Sequence, residues 1–336
     1  MMELPYLLKR ENICRIEDGR ILIGDRRVFP FKRRFEVCTS VEEIAGALQS
    51  MVTQGGGPLE VALTTMVYVA KQMREGRLPR DPAVLERACD LLIAARPTNT
   101  TMKRVIQGLL AELASHPSDW LDLVEPKVEA VQASFDHVYE VMGRFGSSLL
   151  GPENTILTTC FAEHTFLLSL AYAQAEGKHV RVIANETRPY LQGSRLTAPS
   201  LQEMGIEVQL ITDGMGATVI SEHMVTHYMT AADVVCLDGT VVNKVGTLSN
   251  ALAAHAYGVP YYAFSVSPDP TKRGRQDLVM EMRSAGEVTQ CLGRSTTKKG
   301  IGALYPAFDS IPAELVRGIV TAKGVLSPHQ IQRSFS

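Results

Sequence analysis

The chain has no excess of basic residues. Its 34 Lys and Arg stand against 36 Asp and Glu, a formal net charge of −2, so the electrostatic footprint of a nucleic-acid binder is missing. No apolar run approaches the ~18–20 residues that a membrane span needs. The opening Met1-Met2-Glu3-Leu4-Pro5-Tyr6 lacks the charged and apolar blocks of a secretion signal. Neither nucleic acid nor membrane is therefore expected as a partner. The six cysteines, Cys14, Cys38, Cys89, Cys160, Cys236 and Cys291, form no CxxC pair, which excludes zinc-ribbon and thioredoxin-type readings. Their scatter fits free thiols in a reducing cytoplasm. No GxGxxG fingerprint occurs, so no dinucleotide cofactor is implied. His223 and His227 are spaced i, i+4, but Met224 rather than Glu follows the first. The metalloprotease pattern is absent and no metal is expected.

What is present is a long, ordinary globular sequence: 336 residues, 45% hydrophobic and 21% charged, enough for about two domains. The first 35 residues read as short strands around the turn signals Asp18-Gly19 and Gly24-Asp25. Ser40 with Glu43 forms a capping box that opens a helix from Val41 to about Val52. Gly55-Gly56-Gly57-Pro58 starts the next, which ends near Gly76, and helical patterns follow at about 82–95, 98–115 and 120–144. After Gly151-Pro152 β-rich runs alternate with helical ones. The runs are 155–159, 180–184, 208–212, 234–237 and 261–264; the helical stretches lie near 161–176, 195–204, 216–230 and 247–257. The expected architecture is α/β: residues 1–148 a β segment plus a helical domain, and 149–336 a Rossmann-like doubly wound parallel sheet.

In open parallel sheets ligands bind beyond the carboxyl ends of the strands. That rule selects Cys160 after the first run, Asn185-Glu186-Thr187-Arg188 after the second, Asp213 after the third and Asp238 after the fourth. Cys160 sits between a strand end and a helix start, where the helix dipole favours the thiolate. Asp233 and Asp238 bracket the apolar run Val234-Val235-Cys236-Leu237; either carboxylate, poorly solvated, suits acid–base work. Asn243-Lys244-Val245-Gly246-Thr247 and Gly55-Gly56-Gly57-Pro58 each lead into a helix N-terminus, the usual backbone site for phosphate. Two such places without a nucleotide motif point to a small phosphorylated metabolite.

Several blocks together resemble the methylthioribose-1-phosphate isomerases. They are Glu186-Thr187-Arg188-Pro189 with Gln192-Gly193-Ser194-Arg195-Leu196-Thr197-Ala198, then Leu210-Ile211-Thr212-Asp213, Asn243-Lys244-Val245-Gly246-Thr247, Arg96-Pro97-Thr98 and Pro306-Ala307-Phe308-Asp309. They occur in family order over about residues 15–328. The wider superfamily includes ribose-1,5-bisphosphate isomerases and regulatory subunits of a eukaryotic translation-initiation exchange factor. The resemblance implies aldose-to-ketose isomerisation of a 5-substituted ribose 1-phosphate, methylthioribose 1-phosphate by default or 5-deoxyribose 1-phosphate, in a cytoplasmic homodimer without metal or organic cofactor. It implies a catalytic Cys160 and a catalytic aspartate before the Asn-Lys block. A gap-free register puts that aspartate on Asp233; matching the apolar strand puts it on Asp238. The gap-free register is the simpler. Substrate contacts fall on Gly55, Gly56, Gly57, Arg96, Gln192, Asn243 and Lys244.

The chemistry accounts for a cysteine–aspartate pair. With phosphate on C1, simple ring opening yields no free aldehyde. Protonating the ring oxygen breaks the ring, and hydrogen must then pass from C2 to C1. The chain departs from the family around this site. Gly55-Gly56-Gly57-Pro58 stands where the family usually has Arg-Gly-Ala-Pro, and Phe161-Ala162-Glu163 where it has Asn, a small residue and Gly. Phe161 adds apolar volume and Glu163 a carboxylate that repels a second phosphate, so both are candidate specificity residues. The alternatives are a ribose-1,5-bisphosphate isomerase and a non-catalytic regulatory paralogue binding a sugar phosphate or nucleotide.

Overall fold

A computed structural model describes residues 4–97, 99–161 and 163–335. The chain divides into two compact units, Leu4–His137 and Val138–Ser336.

In the first unit, α1 (Arg10–Ile13) leads into a small antiparallel meander of β1 (Cys14–Glu17), β2 (Arg20–Gly24) and β3 (Phe35–Cys38). Its first turn is made by Asp18 and Gly19, both left-handed at φ 50° and 69°, the geometry that a two-residue hairpin requires. Helices α2 (Val41–Gln49), α3 (Gly57–Arg74), α4 (Pro82–Ala95) and α5 (Thr100–Ala114) follow. The Ser40 hydroxyl accepts the Glu43 N–H at 3.2 Å, as expected, and the Glu43 carboxylate accepts from the N–H and hydroxyl of Thr39 and also interacts with the Ser40 N–H. α3 is buried on nearly every face and forms the axis of a core with Ile21, Ile44, Leu48, Leu92 and Ile106 around it. α6 (Trp120–Ser148) carries the chain into the second unit.

The second unit is a mixed α/β structure. Its strands and helices are β4 (Glu153–Thr158), α7 (Glu163–Ala175), β5 (His179–Asn185), α8 (Ala198–Glu203), β6 (Glu207–Ile211), α9 (Gly216–Ser221), β7 (His227–Ala231), β8 (Val234–Val235), β9 (Val241–Lys244), α10 (Thr247–Ala256) and β10 (Tyr261–Phe264). Then come α11 (Ala285–Val288), the short β11 (Gln290–Cys291) and β12 (Arg294–Ser295), β13 (Phe308–Ile311), β14 (Gly318–Thr321), β15 (Gly324–Leu326) and α12 (Ile331–Phe335). Seven strands form one sheet in the order β15-β14-β10-β7-β4-β5-β6, parallel throughout except for β15. The six parallel strands thus run 3-2-1-4-5-6 in chain order, the order of a Rossmann-type sheet, which reverses between β4 and β7. Among the described residues no helix is long and apolar enough to cross a membrane.

One strand differs from expectation. The helix read over 216–230 stops at Ser221, and the fourth sheet strand is His227–Ala231. The run Val234-Val235-Cys236-Leu237 contributes only β8, in a separate antiparallel sheet of order β13-β9-β8. The helix is broken at His223, left-handed at φ 55°, with no glycine or proline to mark it. The other expected helix, 195–204, opens as a π-helical turn, Gly193–Thr197, before α8.

Candidate active site

The chain order reverses between β4 and β7, so the ends of those two strands face the crevice where open α/β sheets bind ligands. Cys160 follows β4, and Asp233 stands two residues beyond β7. Cys160 is left-handed, φ 72°, an uncommon state for a residue with a side chain. It is pinned on both sides. Its N–H donates to Thr187 Oγ1 at 2.9 Å, and its carbonyl accepts the Thr197 hydroxyl at 2.6 Å. Thr187, itself at φ 61°, has its N–H on Asp213 Oδ1 at 2.9 Å, and the Arg188 N–H takes the other Asp213 oxygen at 2.7 Å. Glu163 and Leu191 are left-handed as well. Such clustering marks places where surrounding bonds hold the backbone against its preference.

Burial pushes the Cys160 thiol up to about 12, with Asp233 and Glu163 acting in the same direction, against Lys244 and the Phe161 N–H that hydrogen bonds the sulfur. The lowering expected from a helix N-terminus is overridden. α7 begins only at Glu163, and desolvation is the larger effect. Cys160 therefore rests as a neutral thiol. Phe161 is buried and Glu163 opens α7; Ala162 lies outside the described residues.

Asp233, Lys244 and Glu163 thus all act electrostatically on one thiol. The Asp233 N–H bonds the Val242 carbonyl at 2.8 Å, which ties the loop after β7 to β9, the strand that carries Asn243 and Lys244. Lys244 is 5% exposed, its Nζ 4.6 Å from the centre of the Phe308 ring. Asp238 lies elsewhere. Its carboxylate accepts the Thr240 N–H at 2.8 Å, its own N–H bonds the Arg273 carbonyl at 3.0 Å, and a β-carbon on Gly274 would meet its Oδ2 at 2.3 Å. The strand-end rule points to Asp238 only where the run 234–237 is the fourth strand; applied to β7, the same rule points to Asp233.

The helix start after Lys244 is not an open phosphate site. Asp309, reaching over from β13, accepts the N–H groups of Gly246 at 2.8 Å and Leu248 at 2.9 Å with one carboxylate oxygen. The amides expected to meet an anion are already held by one. Asn243 is buried and donates to Thr247 Oγ1 at 3.0 Å. Gln192 is buried at the head of the π-turn.

Beneath Cys160 lies a fully enclosed polar cluster. Thr159 Oγ1 donates to Asn185 Oδ1 at 3.0 Å and contacts the Tyr228 hydroxyl at 2.9 Å; Asn250 Nδ2 donates to Asn185 Oδ1 at 2.9 Å and to Thr159 Oγ1 at 3.2 Å. The Asn185 amide nitrogen is buried without a partner among the described residues. Such an unmet donor costs roughly 1–3 kcal/mol and calls for a reason. Of these residues the strand-end rule names Asn185, and Asp309 stands in the Pro306–Asp309 block with no role read for it; no sequence pattern points to Tyr228 or Asn250.

The remaining expected contacts belong to the first unit. Gly55 is left-handed at φ 60°, Gly56 caps α3, and a β-carbon on Gly57 would stand 2.0 Å from Thr53 Oγ1. Arg96 closes α4, its Nη1 2.9 Å from Met51 Sδ. Thr98 of the Arg-Pro-Thr block lies outside the described residues.

Residues 59–328 match the profile described as the initiation factor 2 subunit family. The chain belongs to that family. One family relative, named methylthioribose-1-phosphate isomerase, from Thermotoga neapolitana, is 34% identical over 318 residues, 90% of this chain and 91% of its own. Another, named 5-deoxyribose 1-phosphate isomerase, from Moorella thermoacetica, is 32% identical over 325 residues, 93% of each. Among solved structures, the 5-methylthioribose 1-phosphate isomerase from Pyrococcus horikoshii OT3 superposes with a TM-score of 0.82 at 26% identity, covering 96% of this chain and 93% of that one. The delta subunit of translation initiation factor eIF-2B from A. fulgidus gives 0.79 at 29% identity, covering 98% and 97%.

Proposed function

We propose that this chain is an aldose–ketose isomerase converting a 5-substituted ribose 1-phosphate, methylthioribose 1-phosphate or 5-deoxyribose 1-phosphate, to the corresponding ribulose 1-phosphate. The observation that carries the reading is Cys160 after β4 and Asp233 after β7, on either side of the sheet's reversal, with Lys244 acting on the same thiol. Relatives bearing both isomerase names at 32–34% identity support the substrate class.

The reaction needs two proton transfers and one hydrogen shift. A proton goes onto the ring oxygen as the C1–O bond breaks, hydrogen passes from C2 to C1, and the C2 hydroxyl gives up its proton to become the ketone. Nothing is gained or lost overall. Cys160 and Asp233 form the pair that handles the two protons. The thiol, held neutral by burial, enters with its proton in place. Lys244, with Asn243 beside it, balances the phosphate. Gln192, in the same unit as the pair, adds a further substrate contact. Phe161 and Glu163 select for a small apolar C5 substituent over a second phosphate. The catalytic domain is the Rossmann-like 149–336, following the N-terminal 1–148, and the working form is a cytoplasmic homodimer.

The test is direct. The protein is incubated in turn with methylthioribose 1-phosphate, 5-deoxyribose 1-phosphate and ribose 1,5-bisphosphate, and ketose formation is followed by NMR. Turnover of the first two at least ~10²-fold better in kcat/KM is expected. Preference for the bisphosphate overturns the substrate assignment, and no turnover of any overturns the enzyme.

A further inference from the structure

The buried cluster under Cys160 joins the two halves of the proposed site. On one side it holds Thr159, the residue before Cys160, and Asn185, whose carbonyl accepts the Thr187 hydroxyl at 3.2 Å; Thr187 Oγ1 in turn receives the Cys160 N–H. On the other side the Tyr228 hydroxyl also reaches Thr247, which donates to the Lys244 carbonyl at 2.6 Å and accepts from Asn243. Thr159, Asn185, Tyr228, Thr247 and Asn250 are all at most 3% exposed. Asn250 is the hub, since its one amide nitrogen bonds both Thr159 and Asn185. Its other end is equally confined. A β-carbon on Gly216 would stand 2.0 Å from Asn250 Oδ1, so a glycine opening α9 leaves just the room this amide needs.

The bonds have a direction. The Thr159 hydroxyl has one proton, donated to Asn185 Oδ1, so the Tyr228 hydroxyl donates to Thr159; its approach to Thr247, whose own proton goes to the Lys244 carbonyl, is a packing contact. The directed bonds Tyr228 to Thr159, Thr159 to Asn185 and Asn250 to both resist rotation of the groups they join. A helix interior at this depth would otherwise take an apolar side chain, and the cluster's charge-free groups touch no solvent.

We propose that Asn250 is a positioning residue for the isomerisation: from α10 it locks Thr159 and Asn185, and through them the left-handed Cys160 backbone, in register with the strand that carries Asn243 and Lys244. The kinetic part of this proposal rests on the isomerase reading; the part concerning Cys160 does not.

Asn250→Leu keeps the number and branching of the heavy atoms and removes the polar ones. The expected result is a kcat for methylthioribose 1-phosphate at least ~10-fold lower with KM within ~3-fold, since the Asn250 amide bonds Thr159 and Asn185 on the Cys160 side. Alkylation of Cys160 by iodoacetamide at about pH 8, read on its peptide by mass spectrometry, should be at least ~5-fold faster as the loosened backbone admits solvent. Gly216→Ala should give the same split, because its new methyl displaces the Asn250 amide. In an Asn250→Ala background it should do nothing further. A merely structural Asn250 would lower the melting temperature and leave KM, kcat and the alkylation rate of the folded protein unchanged, and that result overturns the proposal. If Asn250→Leu fails to fold, Tyr228→Phe, which deletes one hydroxyl, replaces it, with at least a ~3-fold loss in kcat expected and an unchanged kcat and alkylation rate overturning it. The alkylation arm uses no substrate, so it separates failure of this proposal from failure of the isomerase assignment.

Discussion

Gly193 lies so close to the end of β5 that a β-carbon on it would stand 1.6 Å from the Asn185 carbonyl oxygen. The contact is with backbone, so no side-chain rotation relieves it. Gly193→Ala should push the π-turn away from the strand and destabilise the protein by about 2–3 kcal/mol, the scale of overpacking a tight core site. The turn ends at Thr197, whose hydroxyl holds the Cys160 carbonyl, so kcat should fall too. Urea unfolding read against the parent checks the first part, and a variant of parental stability would refute the close approach.

Asp309 makes a second separable prediction. Its single oxygen closes the N-terminus of α10 through Gly246 and Leu248. Asp309→Ala removes an N-cap delivered from a distant strand and should cost about 1–2 kcal/mol. Asp309→Asn keeps an acceptor and loses the charge that complements the helix dipole, so it should cost about 0.3–1 kcal/mol. If the α10 amides held phosphate instead, Asp309→Ala would strengthen phosphate binding; titration with inorganic phosphate should show no gain.

These two contacts also mark where the sequence stopped being readable. Local signals found most elements. Ser40 with Glu43 starts α2 as expected, the helical pattern at about 82–95 is α4, and β10 falls on the expected run 261–264. The expectation fails at β7 because the chain turns at His223, a left-handed histidine two residues past the end of α9, and because Tyr228, Met229 and Ala231 suit a buried strand as well as a helix. One misplaced strand then carried the strand-end rule from Asp233 to Asp238. The contacts of Asp309 with the α10 amides and of Asn250 with Asn185 were unreadable for another reason. Their partners lie far away in the chain, and a buried Asn reads locally as a turn or cap residue.

Thiol burial sets the alkaline limit of stability. Burial pushes Cys14, Cys89, Cys160 and Cys236 up to about 12 and Cys38 to about 11, against 9.0 ordinarily. The folded state therefore keeps protons that the unfolded chain releases. This stabilisation is complete below about pH 9 and is lost progressively as pH rises towards 12, by at most about 1.4 kcal/mol per pH unit for each thiol. The buried Tyr228 and Tyr261, also shifted upward by desolvation, act in the same direction at higher pH. Denaturant midpoints at pH 8, 9 and 10 should fall ever more steeply, and Cys89→Ala should flatten the fall. A midpoint independent of pH across that range would contradict the burial of these groups.

The two aspartates give the sharpest test of the site. Asp233 follows β7 and acts on the Cys160 thiol; Asp238 holds a turn through Thr240 and the loop at Arg273. Asp233→Asn keeps the shape and removes the titratable group, so kcat should drop at least ~10²-fold, the scale of lost acid–base catalysis, while the melting temperature stays near the parent's. Asp238→Asn should leave kcat within ~3-fold and lower stability by about 0.5–1.5 kcal/mol, because an amide oxygen still accepts the Thr240 N–H but the charge is gone. Cys160→Ser should match Asp233→Asn in kcat, and the double variant should be little worse than either single one, since the two act as a unit. An inactive Asp238→Asn beside an active Asp233→Asn would move the proton chemistry to the loop at 238–240, away from the thiol, and would break the link between the sheet's reversal and the reaction.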